Sequence, residues 1–295
     1  MDFNTLSAFV SVAETNSFSL AAERLHLTQP AVSKRVATLE QEFGARLFDR
    51  IGRNTTLTEA GATLLPRVQR MLQELADIRR SVSNLSGTVG GTLSMATSHH
   101  IGLRRLPPLL RQYSSDYPRV QLDIRFMDSE SACAAVDRGD LELAIVTLPP
   151  KPSSNLQLRE IWRDRLRFVV GKEHPLASLE APQLETLVRH PAVLVSKGTY
   201  TRAIMESALQ PRGLTVLIGM ETNYLETLKM LASIGLGWSL LPETMTHDGD
   251  LVILQIDELH LSRALGLVTH RSRTLSNAAE AMAGICSRWR VQPSD

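Results

Sequence analysis

Three polar side chains near the N-terminus are spaced so that they could read the edges of DNA bases. Gln29, Ser33 and Lys34 fall at the start or on the outward side of one predicted helix. A glutamine amide can form two hydrogen bonds with adenine, and a lysine can donate to guanine in the major groove. The alternative is a solvated polar face on an ordinary helix, and the surrounding elements decide between the two.

A second group of residues is suited to contact the DNA backbone. Ser19 and Thr28 are predicted at helix N-termini, where hydroxyls and free backbone N–H groups can bind phosphates. The cations on the same stretch, predicted to contact phosphates or the minor groove, are Arg35, Arg50 and Arg53. Glu40 lies farther along, where its charge would repel phosphate, so we expect it to face away from DNA or to pair with Arg46.

The elements that must hold these residues form a predicted helix-turn-helix. A short helix is predicted from Ser19 to Leu25 and a longer one from Thr28 to Glu42, with Ser19 and Thr28 as their N-caps. Pro30 falls in the first turn of the second helix, where its missing N–H costs nothing. Apolar residues recur at helical spacing at Ala21, Ala22, Leu25, Val32, Val36 and Leu39. The second helix can therefore enter a major groove with its N-terminal polar residues toward the bases.

This segment resembles the DNA-binding end of the LysR-type transcriptional regulators. The matching residues are Phe9, Val12 to Glu14, Ser17, Phe18, Ala21, Ala22, Leu25, Thr28 to Ser33, Leu39, Glu40, Gly44, Leu47 to Arg50 and Leu57 to Gly61. The resemblance implies a homodimer with paired winged heads, often assembled into a homotetramer. Such a protein binds double-stranded promoter DNA at an interrupted palindrome, and we expect RNA polymerase as a further partner.

The bulk composition is that of an ordinary multidomain protein. The chain has 295 residues, 43% of them hydrophobic and 21% charged, with a net charge of +1. DNA affinity must therefore come from locally placed charge. Two cysteines far apart argue against a disulfide scaffold and fit a reducing cytosol. The N-terminus has no basic n-region, so we expect no signal peptide, and no apolar run is long enough to predict a membrane span.

A winged head and a long linker helix are predicted before residue 90. Residues 1–58 form the head, with Ala45 to Thr58 as a two-stranded wing, and residues 59–89 form a linker helix and hinge. The helix carries a heptad seam of Leu64, Val68, Met71, Leu75, Ile78, Val82 and Leu85. A seam of this period predicts dimerisation. The alternative is one helix packed on its own domain, and Pro66 is expected to kink the helix or to lie near a loosened start.

Beyond the hinge at Gly87, Gly90 and Gly91, strands alternate with helices. Parallel βαβαβ order is predicted from Leu93 to Val146, and a second block begins near Leu166. The tail, with a strand from Ala264 to Thr269 and a helix from Ser276, is predicted to pack back on the first block. The predicted fold is therefore α/β, and residues 90–295 resemble a periplasmic-binding-protein-like effector domain. Lobe I comprises 90–161 and 266–295, and lobe II comprises 162–265.

Polar segments that follow strands and precede helices are predicted to line the cleft between the lobes. They are Thr97, Ser98, His99 and His100; Thr147; Ser196, Thr199, Tyr200 and Thr201; and Asn223. Hydroxyls and free N–H groups at helix starts favour an anion, most simply a carboxylate. By resemblance the first and third groups match the family's effector pocket, which implies a small organic acid as effector.

Two features leave alternatives open. His99 and His100 could add charge to anion binding, make the response pH-dependent, or only cap a helix; metal ligation lacks a supporting cluster, so no metal or other cofactor is predicted. Cys133 and Cys286 could suggest a redox switch, but a lone buried cysteine usually packs as an apolar group. A ligand-independent or redox-responsive regulator of the same fold is therefore the alternative function.

Other functional classes fit the sequence less well. No glycine-rich phosphate loop, nucleophile elbow or metal-spaced histidine motif is present, which argues against an enzyme. A solute-binding protein would not need a helix-turn-helix, and an architectural DNA binder would not need two lobes. The sequence thus predicts a cytoplasmic regulator whose promoter binding or activation responds to a small effector.

Overall fold

The computed structural model describes residues 2–51, 54–247, 249–256 and 259–289, and for Arg50, Ile51 and Asn54 it describes the backbone alone. The chain forms two compact units, Met1–Leu85 and Ser86–Asp295. The α-helices are α1 Phe3–Thr15, α2 Phe18–Arg24, α3 Gln29–Phe43, α4 Glu59–Asn84, α5 His99–Arg104, α6 Leu106–Asp116, α7 Ser129–Arg138, α8 Leu184–Leu187, α9 Tyr200–Leu209, α10 Leu225–Ser233 and α11 Asn277–Arg288. The strands are β1 Phe48–Ile51, β2 Asn54–Leu57, β3 Gly91–Thr97, β4 Val120–Phe126, β5 Leu143–Thr147, β6 Leu156–Gly171, β7 Ala192–Leu194, β8 Ile218–Glu221, β9 Ser239–Pro242, β10 Leu251–Ile253 and β11 Leu261–His270.

The predicted helix-turn-helix is present, but α2 begins earlier than predicted. Ser17, not Ser19, is the N-cap: its backbone is extended and its hydroxyl accepts from the N–H of Leu20 at 3.3 Å. Phe18 is buried against Phe48, with ring centroids 5.7 Å apart, and this packing favours an N-cap two residues earlier than predicted. Ser19 therefore lies inside α2 with an exposed side chain.

The start and end of α3 follow local sequence rules. The Thr28 hydroxyl accepts from the N–H of Ala31 at 3.4 Å, which confirms Thr28 as the N-cap. Pro30 occupies the first turn, and Gly44 ends the helix in the left-handed region with φ of 62°. Val36 is 1% exposed on the side facing the head's core, so the opposite face of α3 is free for DNA.

Glu40 anchors the wing, and its hydrogen-bond partners are backbone N–H groups rather than Arg46. One of its carboxylate oxygens accepts from the backbone N–H of Leu47 at 2.8 Å and of Phe48 at 3.4 Å. The strands β1 and β2 pair antiparallel immediately afterwards, with Phe48 opposite Leu57. A carboxylate accepting from backbone N–H groups is a strong hydrogen bond, so Glu40 fixes the wing to the end of α3.

The heptad seam of α4 divides into two parts. Val68 is 1% exposed and packs in the head's core, with Leu64 against the same cluster. Val68 therefore belongs to its own domain rather than to a dimer seam, as the alternative reading of the helix required. Farther along, the exposed apolar side chains are Met71, Ile78, Val82 and Leu85, with Leu75 half-buried. The helix runs through Pro66 without a break.

The second unit is built on one sheet that runs through two lobes. Its order is β10-β6-β11-β5-β3-β4, with β9 also paired to β6; β3 is parallel to β4 and β5, whereas β11 is antiparallel to β5 and β6. A two-stranded parallel sheet of β7 and β8 completes the second lobe. Because β6 and β11 are long, each carries residues of both lobes.

Separate apolar cores stabilise the two lobes. In the first, α6 and α11 pack on β3 and β5 around Met95, Tyr113 and Met282. In the second, α9 and the surrounding strands enclose Trp238, whose indole N–H donates to the His190 carbonyl at 3.1 Å. The tail strand and helix pack on the first block, as predicted. A short helix, α5, begins at His99 almost directly after β3.

Two glycine-to-alanine substitutions should have opposite effects on stability. A Cβ at Gly61 would lie 2.2 Å from the Leu47 carbonyl oxygen, where α4 crosses the wing, whereas a Cβ at Gly284 in α11 meets nothing within 4 Å. We expect Gly61→Ala to lower the free energy of unfolding of the head by about 1–3 kcal/mol. Gly284→Ala should raise that of the second unit by about 0.5–1 kcal/mol, since alanine favours helix.

Urea unfolding of both variants, followed by circular dichroism, measures these changes. A neutral Gly61→Ala variant would show that α4 does not pack closely on the wing.

Candidate DNA interface and effector cleft

The outward face of α3 carries the predicted base-reading residues. Gln29 and Lys34 are exposed, and Ser33 is half-buried beside them. The Gln29 side-chain amide donates to the Ser33 hydroxyl at 3.0 Å, which leaves the amide oxygen and one N–H of Gln29 for an adenine. This hydrogen bond between side chains one turn apart holds the glutamine in a defined orientation before DNA is bound.

The residues predicted to contact the DNA backbone differ in their exposure. Thr28 is exposed at the start of α3, Arg35 is half-buried on the same helix, and Ser19 is exposed on α2. Arg35 also lies near Asp2, whose pKa is lowered mainly by the backbone N–H of Thr5 and in small part by Arg35. For Arg50 the structure gives the backbone in β1, and Arg53 lies outside the described residues.

A cavity of about 460 Å³ lies between the lobes of the second unit. Its lining is Ser98, His99, His100, Phe126, Met127, Asp128, Ser129, Glu130, Thr147, Val195, Thr199, Thr201, Asn223, Tyr224, Leu225 and Arg263. Seven of the ten residues predicted for the effector site are in this lining, all but Thr97, Ser196 and Tyr200. The volume suits a small organic molecule.

The three predicted residues outside the lining have structural roles instead. Thr97 is fully buried, and its hydroxyl donates to the Ile145 carbonyl at 2.8 Å between neighbouring strands. The backbone N–H of Ser196 donates to the Asn223 side-chain oxygen at 3.0 Å, so Asn223 supports this loop. Tyr200 packs against the apolar cluster of lobe I that contains Cys133. Thr97 ends β3, and none of the three residues is in the cavity lining.

The most buried charge of the cavity was not predicted. Arg263 on β11 stands opposite Asp164 on β6, and its Nη2 and Nε donate to one Asp164 oxygen at 3.1 and 3.4 Å. The other Asp164 oxygen accepts from Arg105 of lobe I at 2.7 Å, and Arg263 Nη1 donates to the Thr201 hydroxyl of lobe II at 3.3 Å. Burial lowers the pKa of Arg263, and the Asp164 carboxylate opposes that shift.

His100 is buried beside this cluster. Within the described chain neither of its ring nitrogens has a hydrogen-bond partner, and Nδ1 lies 3.8 Å from a carboxylate oxygen of Glu226. Burial, and next the positive charge of Arg263, lower the pKa of His100 to about 4, although Asp164 and Glu226 act in the opposite direction. His100 is therefore neutral at pH 7 and adds no charge to the cavity, in contrast to one of the roles considered from sequence.

Glu130 joins the two lobes across the cleft. It lies in the first turn of α7, and its carboxylate accepts from the backbone N–H of Tyr200, the first residue of α9. Partial burial raises the pKa of Glu130, while the Tyr200 N–H lowers it. The first turn of α9, where an effector anion was predicted, thus already holds a carboxylate of the protein.

Both cysteines are buried thiols. Burial raises the pKa of Cys133 to about 11 and that of Cys286 to about 12. Thiolates are the reactive form, so neither residue has the low pKa that redox-sensing cysteines use. Among the residues that the structure describes, no group of three or more His, Cys, Asp or Glu side chains could hold a metal ion. The described helices include none that is long and apolar enough to cross a membrane.

The lining residues that were not predicted differ in whether a sequence rule could have identified them. Asp128 caps α7, with its carboxylate accepting from the Ser131 N–H at 2.7 Å, and it follows a predicted strand just as Ser98 does. The strand-then-helix rule used elsewhere would have identified Asp128 to Glu130. Arg263 gave no such signal, because its burial depends on pairing with Asp164, 99 residues away.

The fold and the site together define a two-domain, ligand-responsive DNA-binding regulator, and comparison with known proteins identifies the family. The family model described as the bacterial regulatory helix-turn-helix protein, lysR family, matches residues 3–62, and the LysR substrate binding domain model matches residues 86–290. The chain therefore belongs to the LysR family of transcriptional regulators, with a DNA-binding domain and an effector-binding domain.

Individual relatives agree with this assignment. The RuBisCO operon transcriptional regulator of Allochromatium vinosum is 30% identical over 280 residues, covering 94% of this chain and 92% of its own. An uncharacterised HTH-type regulator of Azotobacter vinelandii is 65% identical over 108 residues, covering 37% of this chain and 75% of its own. Both similarities are to regulators named for DNA-binding control of transcription.

Solved structures share the fold. A full-length OxyR variant from Pseudomonas aeruginosa superposes with a TM-score of 0.69 at 22% identity, covering 100% of this chain and 99% of its own. Full-length CbnR complexed with its target DNA gives 0.63 at 20% identity, covering 98% of this chain and 100% of its own. The effector binding domain of QuiR in complex with shikimate gives 0.61 at 18% identity, covering 68% of this chain and 97% of its own.

Protonation of His100 should destabilise the protein at mildly acidic pH. Its folded-state pKa of about 4 lies below the ordinary value of 6.5, so the unfolded chain takes up this proton first as pH falls. The contribution of neutral His100 to the free energy of unfolding is complete above pH 6.5 and is lost progressively as pH falls toward 4. Between pH 7 and pH 5 the free energy of unfolding should fall by about 2 kcal/mol for this reason.

Urea unfolding of wild type and of His100→Asn at the two pH values measures this loss, with His99→Asn as control at the exposed neighbour. The wild type and His99→Asn should lose about 2 kcal/mol more than His100→Asn. Equal losses in all three proteins would show that His100 accepts a proton freely in the folded state.

Proposed function

We propose that the chain is a cytoplasmic, non-enzymatic LysR-type regulator that binds promoter DNA as a homodimer or homotetramer and responds to a small organic acid. The observation that carries the proposal is an exposed recognition-helix face in one unit together with a two-lobed cavity in the other. RNA polymerase is the partner on which such a regulator would act. The divisions proposed within the chain are 1–58, 59–89 and 90–295.

The DNA-binding role rests on α3. Gln29, Ser33 and Lys34 are presented on its outward side, and we infer that they contact base edges while Thr28 and Arg35 contact phosphates. The proposal extends to Ser19, Arg50 and Arg53 as backbone contacts. Pro30 shapes the first turn of α3, where its missing N–H costs nothing. A helix entering the major groove by its N-terminal end is the docking geometry of helix-turn-helix proteins.

Dimerisation is proposed for the distal part of α4. Met71, Ile78, Val82 and Leu85 leave apolar surface exposed at heptad spacing, and Ile78 is 51% exposed in the single chain. A second copy of the same helix would bury this seam. Two heads joined in this way would bind two half-sites, which supports an interrupted palindrome as the target.

The effector role rests on the cleft. Ser98, Thr147 and Thr201 bring hydroxyls to a cavity whose walls come from both lobes, so a ligand there contacts both. We propose that it shifts the closure of the lobes and, through the oligomer, the spacing of the heads on DNA. That a related domain was solved with shikimate is consistent with an organic acid. The buried thiols favour this reading over the redox alternative.

Base-reading residues should affect specific binding far more than non-specific binding. We expect Gln29→Ala and Lys34→Ala each to cost about 1–3 kcal/mol on the target site and little on random DNA. Fluorescence anisotropy with the upstream region of the gene and with a scrambled duplex, at fixed salt, measures both affinities.

The control for that experiment is Arg35→Ala. Because Arg35 is proposed to contact a phosphate, this variant should lose affinity for both duplexes equally. Equal losses on both duplexes for Gln29→Ala or Lys34→Ala would reassign that residue to the phosphates.

Interrupting the seam should dissociate the oligomer. Ile78→Asp would place a charge among apolar side chains, so we expect the dissociation constant to rise at least about tenfold, since burying an unpaired charge costs several kcal/mol. Analytical ultracentrifugation of the full chain measures the association state. Gln73→Asp adds the same charge on the side of α4 away from the seam and should leave the state unchanged; an unaltered dimer in Ile78→Asp would place the interface elsewhere.

A further inference from the structure

A cluster of three charged side chains lies where the lobes meet, and it has one net positive charge. Arg105 and Arg263 both pair with the single carboxylate of Asp164, at 2.7 and 3.1 Å. The Asp164 side chain is 1% exposed and that of Arg263 is 6% exposed, whereas that of Arg105 is 29% exposed. Water therefore reaches Arg105 but compensates the charge of Arg263 poorly. Because Arg263 lines the cavity, an anion in the cavity can supply the missing negative charge.

Arg263 also has hydrogen-bonding capacity to spare. A guanidinium carries five N–H donors. Asp164 accepts from Nε and Nη2, and Thr201 accepts from Nη1. These contacts use three donors and leave two without a partner in the part of the chain that the structure describes. The two remaining N–H groups match the two oxygens of a carboxylate.

The other anion sites expected in the cleft are filled or weak. The Tyr200 N–H at the start of α9 donates to Glu130, and the Thr199 hydroxyl accepts from the Arg202 N–H of the same turn at 3.3 Å. Helix α5 has six residues, too few for a substantial dipole at its N-terminus. His100 is neutral at pH 7. Arg263 is therefore the strongest attraction for a negative charge in this cavity.

We propose that Arg263 is the residue that selects an acidic effector, binding its carboxylate through the two free N–H groups, with Asp164 and Arg105 as positioning residues. This inference rests on the proposed effector function and assigns its specificity. Asp164 accepts from Nε and Nη2 and so holds the guanidinium at the wall of the cavity. Arg263 donates to Thr201 of lobe II, and its partner Asp164 accepts from Arg105 of lobe I. A ligand bound to Arg263 is therefore coupled to both lobes.

The experiment measures the thermal midpoint of the full chain with paired carboxylates and amides of the same shape. The probes are lactate and lactamide, benzoate and benzamide, and nicotinate and nicotinamide, each at about 10 mM, with a near-saturating ligand raising the midpoint by roughly 5 to 10 °C. Wild type should be stabilised by at least one carboxylate and not by its amide. Titration calorimetry then gives the affinity for that carboxylate.

The deciding variant is Arg263→Gln, whose amide can still donate to Asp164. It should lose at least about tenfold in affinity for the carboxylate. Arg263→Lys keeps the charge without the planar pair of donors and should lose less. The matched control is Arg167→Gln, also on a strand shared by the lobes but paired with Glu243 at 2.8 Å outside the cavity. It should bind as wild type does.

Each contrary result has a separate meaning. An unchanged affinity in Arg263→Gln, or equal stabilisation of wild type by acid and amide, overturns the role of Arg263 and leaves an effector cavity in place. If Arg263→Gln fails to fold, an unchanged affinity in Arg263→Lys contradicts the proposal. If no probe raises the thermal midpoint of wild type, both the role of Arg263 and the proposed response to an organic acid are contradicted.

Discussion

The antiparallel pairing of β6 with β11 is the constraint on which the second unit depends. These two strands are shared by both lobes, and at their crossing Arg263 faces Asp164, almost completely buried. A buried charge is tolerated only when it is paired and hydrogen-bonded, so the pair also fixes Arg105 and Thr201 around it. The same interaction therefore joins the strands, contacts both lobes and places a cation at the wall of the cavity.

The DNA-binding unit likewise depends on a few contacts. Glu40 ties the end of α3 to the wing, Thr28 starts α3 in the orientation that exposes Gln29, and Val68 fastens α4 to the core of the head. The proposed base-reading helix and the start of the linker helix thus pack into the same apolar core. Beyond Val68, α4 leaves its apolar side chains exposed, and that is where a partner helix can be bound.

Much of this organisation is visible in the sequence because it depends on local rules. The N-cap at Thr28, the wing and the order of strands follow from residues close together in the chain. Prediction was wrong where a distant contact decided the outcome. Phe18 packs on Phe48, α2 starts at Phe18 with Ser17 as its N-cap, and Val68 is buried in the head's core instead of lying on the seam. In the cleft, the strand-then-helix rule predicted seven of the sixteen lining residues but not Arg263, which only long-range strand pairing reveals. Glu130 likewise occupies a helix start that sequence reasoning left open for the effector.

The most direct measurement is the DNase footprint of the full chain on its target DNA, with and without the carboxylate that most raises its thermal midpoint. Two heads coupled to a responsive cleft predict a footprint that spans an interrupted palindrome and changes in length or position when the ligand saturates the protein. The same ligand should leave the footprint of an Arg263→Gln protein as it was. An identical wild-type footprint in the two conditions would contradict a regulator that transmits effector binding to DNA.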